Sequence, residues 1–398
     1  MQKTFYYQYR IALFFFVISA IYGWSMRLYK VVDFIEIPYH SILQAHSHVT
    51  FLGWAFLAVI SIVGVAFYQE IDIKSNYLKV VFGIMSFTLL GLLISFPLQG
   101  YKLFSILFLS SFLIASYFYL ARILKLLKGL STLSSRFIRT GIWYYYLSSI
   151  GIWAIAFIVT NFGKIDLYFN AIYFYLHFLY NGFFTFVLFG LLIKYIENRE
   201  GSVINKSARL FYWLTNLACI PAYTLSLLWR EVPSFVVYVA ILSALIQLIS
   251  IFYFIKIRRF FIRVLKYKTE TRLVNIVFLS YFFKISIQFL SAFPTIVKQA
   301  VLFKSYFIIG YIHLYTLGFM SLFIILFTLM FTNVKGHKLG LYLFVLGVFL
   351  SEFLLFSQGT ALSIFRLGIE NIDFWLLLVS SLLPIGLLIQ LVTLKNRL

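Results

Sequence analysis

Charge is what this 398-residue chain has least of. Only 11% of its residues are Asp, Glu, Lys or Arg, against about 25% in an ordinary soluble domain. So few charges exclude a soluble globular protein and a disordered chain. Cysteine occurs once, as Cys219. A single thiol excludes an internal disulfide, a thiolate zinc site and a cysteine-held iron–sulfur cluster. Acids are scarce too, 12 against 33 Lys and Arg, for a net charge of +21. No segment is polar enough to fold as a separate recognition domain, so the basic excess does not point to nucleic acid. In a membrane protein it belongs on cytoplasmic loops.

What is abundant is apolar length: 63% of residues are hydrophobic and the mean hydropathy is +0.97. A bilayer-spanning helix needs about 20 apolar residues. Apolar runs between charge clusters predict twelve, near 9–28, 43–67, 78–98, 103–122, 141–160, 169–193, 210–229, 233–255, 274–295, 305–331, 339–360 and 373–394. The expected fold is therefore all-α, a polytopic bundle of about twelve transmembrane helices forming one domain over 1–398. The first run lacks a small-residue cleavage site and reads as a retained helix. No tandem repeat of 20–50 residues is evident.

Lys and Arg alternate between loops. The set that includes the N-terminus holds 24, densest between Lys256 and Arg272, and the opposite set holds eight, while Lys284 lies inside a span. This asymmetry predicts a multi-pass protein of the cell's inner (cytoplasmic) membrane with both termini in the cytoplasm. The Lys256–Arg272 loop reads either as a topogenic loop or as a contact for anionic lipid headgroups.

Ionisable residues at membrane depth are costly and are candidates for function. Four of the six histidines fall in even-numbered spans: His46 and His48 in the second, His177 in the sixth, His313 in the tenth. Each lies near the outer end of its span, so all four share a slab roughly 5–15 Å below the outer boundary. His40 precedes the second span and His337 lies in a cytoplasmic loop. Imidazoles without neighbouring acids suit heme iron or copper better than magnesium or calcium, and zinc is also admitted by ligand type. In QAHSHVTFLGW, His46 and Gly53 share a helix face, open to a flat macrocycle or to a neighbouring helix, while His48 points nearly the other way. Around His313, Gly310 and Gly318 bare a strip beside the imidazole. Tyr180 and Asn181, one turn after His177, read as its hydrogen-bond partners or as ordinary interhelical contacts. Lys284 in the ninth span and Glu352 in the eleventh are the charges nearest mid-membrane. They suggest a buried ion pair, followed by a polar seam of Ser357, Gln358 and Thr360.

The strings AHSHVTFLGW and IHLYTLGFM, with twelve spans and imidazoles in the outer half, resemble the heme–copper oxidase subunit I superfamily and the similar NnrS family of membrane proteins. Gly336-His337 stands where the latter carries a Gly-His pair. The resemblance implies a subunit I-like bundle, a heme b held by His46 and His313, and copper as a second metal. His46, His48, His177 and His313 are the metal-ligand candidates. A redox protein or a quinol is the implied partner, besides membrane lipids. The departures are specific. The seventh span has no histidine, the sixth lacks the oxidase His-Pro-Glu-Val-Tyr string, and the tenth has one histidine instead of two. A complete dioxygen-reducing centre cannot be assembled, and the expectation is electron transfer or nitric oxide and metal handling. The alternative is a secondary transporter coupled through Lys284 and Glu352, and a membrane scaffold without chemistry is a third reading.

Overall fold

The computed structural model describes residues 2–32, 37–71, 75–200, 206–265 and 267–396. Lys74, Lys266 and Arg397 of the basic loop set lie outside them. The chain is an all-α polytopic membrane protein. Among the described residues, eleven helices are long and apolar enough to cross a bilayer, and a twelfth candidate is a bent pair. In chain order they are α1 (Lys3–Leu28), α2 (Tyr39–Ala66), α3 (Asn76–Gln99), α4 (Leu103–Leu127), α5 (Leu133–Phe162) and α6 (Asp166–Glu200). Then come α7 (Lys206–Cys219 and Pro221–Leu227, bent by 45°), α8 (Ser234–Arg263), α9 (Lys268–Leu290), α10 (Lys304–Phe331), α11 (Lys338–Phe365) and α12 (Ile372–Thr393). Each falls where an apolar run predicted a span.

Three differences have local causes. The bend in α7 sits at Pro221, which has no N–H to continue the helical ladder. Helix α9 stops at Leu290, and a short helix, Pro294–Leu302, precedes α10, because Pro294 opens a new helix at its first position. Helix α8 has 30 residues, about 45 Å, so it outruns a hydrocarbon core of about 30 Å and carries its basic end beyond it.

The chain divides into two compact units, Met1–Lys128 with Ile324–Leu398, and Gly129–Phe323. In the first, α1 lies on α2, α3 pairs with α4, and α11 with α12. Its ends are tied by polar contacts. The Tyr6 hydroxyl donates to the Leu394 carbonyl at 3.1 Å, and two-residue strands β1 (Val334–Lys335) and β2 (Lys395–Asn396) pair antiparallel. Lys30 and Asp373 bridge the opposite end at 3.3 Å. Helices α11 and α12 cross where Gly340 meets Gly386, and a Cβ on either would stand 2.7 Å from the other's carbonyl oxygen. Phe16 stacks on Trp54 at 4.3 Å.

In the second unit α5 lies on α6, α7 pairs with α8, and α8 with α9. Thr132 caps α5 by accepting from Ser135 N–H at 3.2 Å, and Glu197 at the end of α6 accepts from Ser134 N–H at the same distance. Phe254 stacks on Phe278 at 4.0 Å, and Phe189 packs edge-on to Phe211, Phe254 and Tyr281.

The second, sixth and tenth helices are distinguished by burial. Their apolar windows are 94%, 83% and 72% buried, whereas no other measured span exceeds 50%. Each bares a glycine to the helix before it. A Cβ on Gly53 would stand 2.8 Å from Phe15 Cβ, on Gly182 2.6 Å from Tyr144 Cβ, and on Gly318 2.9 Å from Ser280 Oγ. Gly182→Leu should lower stability by about 1–3 kcal/mol through overpacking, read as a fall in thermal midpoint in detergent. Gly83→Ala, where no atom lies within 4 Å, should leave that midpoint near its original value.

Candidate functional site

The local sequence around each buried histidine explains its geometry. His48, His177 and His313 each begin the pattern His-x4-Gly-aromatic: HVTFLGW, HFLYNGF and HLYTLGF. At each, the α-helix ends on the histidine and a wide π-helical turn begins at the next residue, over Val49–Phe56, Phe178–Phe184 and Leu314–Ser321. Such turns carry one extra residue per turn and recur at functional sites. The contact of each motif glycine lies 38 positions earlier in the chain, at Phe15, Tyr144 and Ser280. The chain thus repeats one helix-pair device three times, at intervals far longer than the 20–50 residues of tandem arrays. A period this long leaves no tandem signature, and the device shows in the sequence only where the three His-x4-Gly-aromatic strings are aligned.

Alignment on this repeat separates the two histidines of α2. His48 is the repeated one. His46 occupies the position held by Tyr175 and Tyr311 in the other two copies. All three side chains meet the preceding helix. A Cβ on Gly23 would stand 2.9 Å from His46 Cε1, Tyr175 packs at Gly151, and the Tyr311 hydroxyl donates to Gln288 Oε1 at 3.4 Å. His46 is where the first copy departs from its tyrosine.

The rings of His46 and His48 diverge, as their spacing requires. His46 Nδ1 lies 2.8 Å from the Ser19 carbonyl oxygen and so carries the proton that it donates there. Nε2 is then the lone-pair nitrogen, and no hydrogen bond to it is found among the described residues. The Ser19 hydroxyl also bonds the Thr50 hydroxyl, and Thr50 Oγ1 donates to the His46 carbonyl at 2.7 Å. His48 has no bare nitrogen. Its Nδ1 donates to the Gln44 carbonyl at 2.9 Å, its Nε2 accepts from the Tyr101 hydroxyl at 3.0 Å, and its ring stacks on Phe96 at 4.7 Å. Gly53, on the His46 face, is filled by Phe15 of α1. Of the two occupants its sequence position allows, a neighbouring helix holds it.

His177, 4% exposed, is engaged at both nitrogens. Nε2 donates to the Cys219 carbonyl at 2.8 Å, and Nδ1 accepts from Asn181 Nδ2 at 3.2 Å. At the bend the Tyr223 N–H bonds the Ile220 carbonyl at 3.2 Å, one residue on from Cys219, whose carbonyl takes the side-chain donor instead. Asn181 is thus a partner of His177. Tyr180 acts through its backbone: its carbonyl accepts from Tyr315 Oη at 2.7 Å and from Thr185 Oγ1 at 2.7 Å. In the third copy the Ser321 hydroxyl donates to the Thr316 carbonyl at 2.7 Å, again five residues back. Gly310 beside His313 is buried.

Among the described residues, no three His, Cys, Asp or Glu side chains are gathered so as to hold a metal ion. The two charges expected to pair belong to different units, and each has a neighbour in its own. Lys284 Nζ, 2% exposed, donates to Asn181 Oδ1 at 2.5 Å. Glu352, 8% exposed, feels the Arg27 guanidinium electrostatically. In the expected seam, Gln358 Oε1 accepts from Ile369 N–H at 2.6 Å and ties down the turn after α11. His40 lies on the first turn of α2, exposed, and is bonded by Gln44 Nε2 at 2.8 Å. His337 caps α11, its Nδ1 accepting from Leu339 N–H at 3.2 Å.

The chain matches no protein-family model and none of the curated proteins.

The doubly bonded Tyr180 carbonyl gives the second π turn a measurable dependence. Thr185→Val should cost about 1 kcal/mol, and Tyr315→Phe a similar amount. The two hydroxyls also bond each other at 3.1 Å, so the two changes should be non-additive, and a double-variant cost equal to the sum of the singles would count against a shared network. Thermal unfolding of the four proteins checks this.

Proposed function

We propose that this protein is an integral membrane heme protein that passes electrons or handles nitric oxide, rather than one that completes dioxygen reduction. His46 and His313 would hold a heme b. What supports the reading is the state of His46: an imidazole whose Nδ1–H is anchored on a backbone carbonyl keeps its lone pair on Nε2, the form that binds iron. His46 therefore fits the group at this position. Heme, when bound, supplies a one-electron couple.

The protein's own contribution lies around that ring. The Ser19 carbonyl fixes the tautomer and makes Nε2 a better donor. Gly23 leaves the room the ring lies in, and the Ser19–Thr50 pair braces the carbonyl of His46. His48 and His177 stand outside the proposed ligand pair, because each already spends both nitrogens on protein partners. Copper, if it binds, would have to displace one of those bonds. A quinol or a small redox protein is the proposed electron partner.

Protein purified from heme-replete cells should show a Soret band, with sharp α and β bands on reduction. His46→Ala and His313→Ala should abolish it. So should Gly23→Val, whose methyls would occupy the place of the ring. His48→Ala should keep it. A folded, colourless and metal-free preparation would sink the proposal.

We also propose the inner membrane as its location, with both termini cytoplasmic. The basic asymmetry of the loops supports this, together with the joining of the Tyr6, Lys335 and Lys395 regions at one end of the first unit. Reporter fusions at each terminus should both be active as cytoplasmic markers, and one periplasmic terminus would refute the arrangement.

A second reading is favoured by one observation, the burial of Lys284 against a carboxamide. It is a proton-coupled transporter using Lys284 and Glu352, in which Lys284→Met would abolish transport and leave any heme spectrum unchanged.

A further inference from the structure

Lys284 is the interior cation of the second unit, and that unit offers it no carboxylate. Its five acids sit at helix ends or in the loop before α8: Asp166, Glu197, Glu200, Glu231 and Glu270. Asp166 is bridged to Arg230, Glu197 caps α5, and Glu270 caps the start of α9. Around the Lys284 amine are Asn181 Oδ1 at 2.5 Å, the ring of Tyr281 on its own helix at 5.8 Å and the ring of Tyr315 on α10 at 5.9 Å. Helix α8 faces Tyr281 with Phe254. The titratable groups in electrostatic reach are His177 of α6 and the Cys219 thiol of α7.

Asn181 touches both members of the pair. Its oxygen accepts from Lys284, which turns its NH2 toward His177 Nδ1, which must therefore be unprotonated. His177 in turn keeps its one proton on Nε2, where the Cys219 carbonyl accepts it. A carboxamide has one accepting and one donating end, so the protonation of one neighbour dictates what the other is offered.

We infer that Lys284, Asn181 and His177 form a binding site for a single proton, which Lys284 and His177 hold alternately as Asn181 turns over. In the arrangement described here Nδ1 of His177 is unprotonated, and the proposed site holds its proton on Lys284. In the alternate state an N–H bond on Nζ is broken and one on Nδ1 is formed. The Nζ lone pair then accepts from Asn181 Nδ2, Nδ1–H donates to Asn181 Oδ1, and Nε2–H keeps its bond to Cys219. The composition and the charge of +1 are the same in both states, and each leaves every polar atom of the carboxamide partnered. A second proton would place two cations against one amide oxygen in a low-dielectric interior. The site is independent of the heme reading, because His177 is not one of the proposed ligands.

The test is nitrogen NMR on the full chain labelled with 15N-histidine in lipid nanodiscs, with His177 assigned by its loss in His177→Gln. The original protein should show His177 as a neutral imidazole protonated at Nε2. In Lys284→Met the proton has only His177 to hold it. The unprotonated Nδ1 resonance should then be lost and replaced by a protonated one at the same pH, while Lys284→Arg should keep the original signature. Should Lys284→Met fail to fold, Asn181→Asp serves. Its carboxylate accepts from both sides and should make His177 an imidazolium. A His177 protonated at Nδ1 in the original protein would overturn the proposal, as would a resonance unmoved in Lys284→Met or in Asn181→Asp.

Discussion

A helix enclosed by others in a membrane has to bring its backbone close to theirs, and hydrocarbon gives no help in pressing them together. In this protein the close approach is made at Gly53, Gly182 and Gly318, each of which accepts a side chain from the preceding helix at a distance no Cβ would allow. The three most buried spans are the three that carry these glycines. A π-helical turn accompanies each, beginning one residue after the histidine and containing the glycine. The turn sets the histidine on one register of the helix and the close contact on the other. Imidazole, wide turn and glycine therefore form one device, and what the histidines can reach follows from it.

The same turns set the polar requirements of the interior. Backbone oxygens at membrane depth have no water to turn to, and here hydroxyls five residues further on supply donors, Thr185 to Tyr180 and Ser321 to Thr316. The histidines are treated differently from copy to copy. His48 and His177 use both ring nitrogens within the protein and serve as struts between helices. His46 stands where the other copies have tyrosine, bound through one nitrogen only. The residue that breaks the repeat is thus the one left with an unspent ring nitrogen, whereas His48 and His177 are held at both. Lys284 follows the same logic. Aligned on the motif glycines, it occupies the register of Ser19 and Ser148, and an amine has replaced a hydroxyl in the third copy alone.

Most of the fold was legible because bilayer thickness and apolar length are tied by a simple ruler. All twelve spans fall where apolar runs placed them, and the misfit at the end of α9 came from a proline-started helix that hydropathy alone cannot separate from its neighbour. The partnership of Asn181 with His177 was also readable, since a separation of four residues puts two side chains on one helix face. The divergence of His46 and His48 followed from the helical angle in the same way. The partner of Lys284 was not readable, because a carboxamide 103 positions away announces itself by no local pattern. The occupant of the Gly53 face stayed open for a related reason: a bare glycine states that something approaches and is silent about what.

The amino-acid sequence by itself determined that this is a bundle of membrane helices, where along the chain they lie, and which helices carry imidazoles, because hydrophobic length and helical periodicity are local properties. Only the tertiary structure decided which ring nitrogens of His46, His48 and His177 are already spent, that Phe15 fills the face of Gly53, and that Lys284 answers to Asn181. Those outcomes depend on hydrogen-bond geometry and close contact between helices remote in sequence, and a linear pattern holds no record of either.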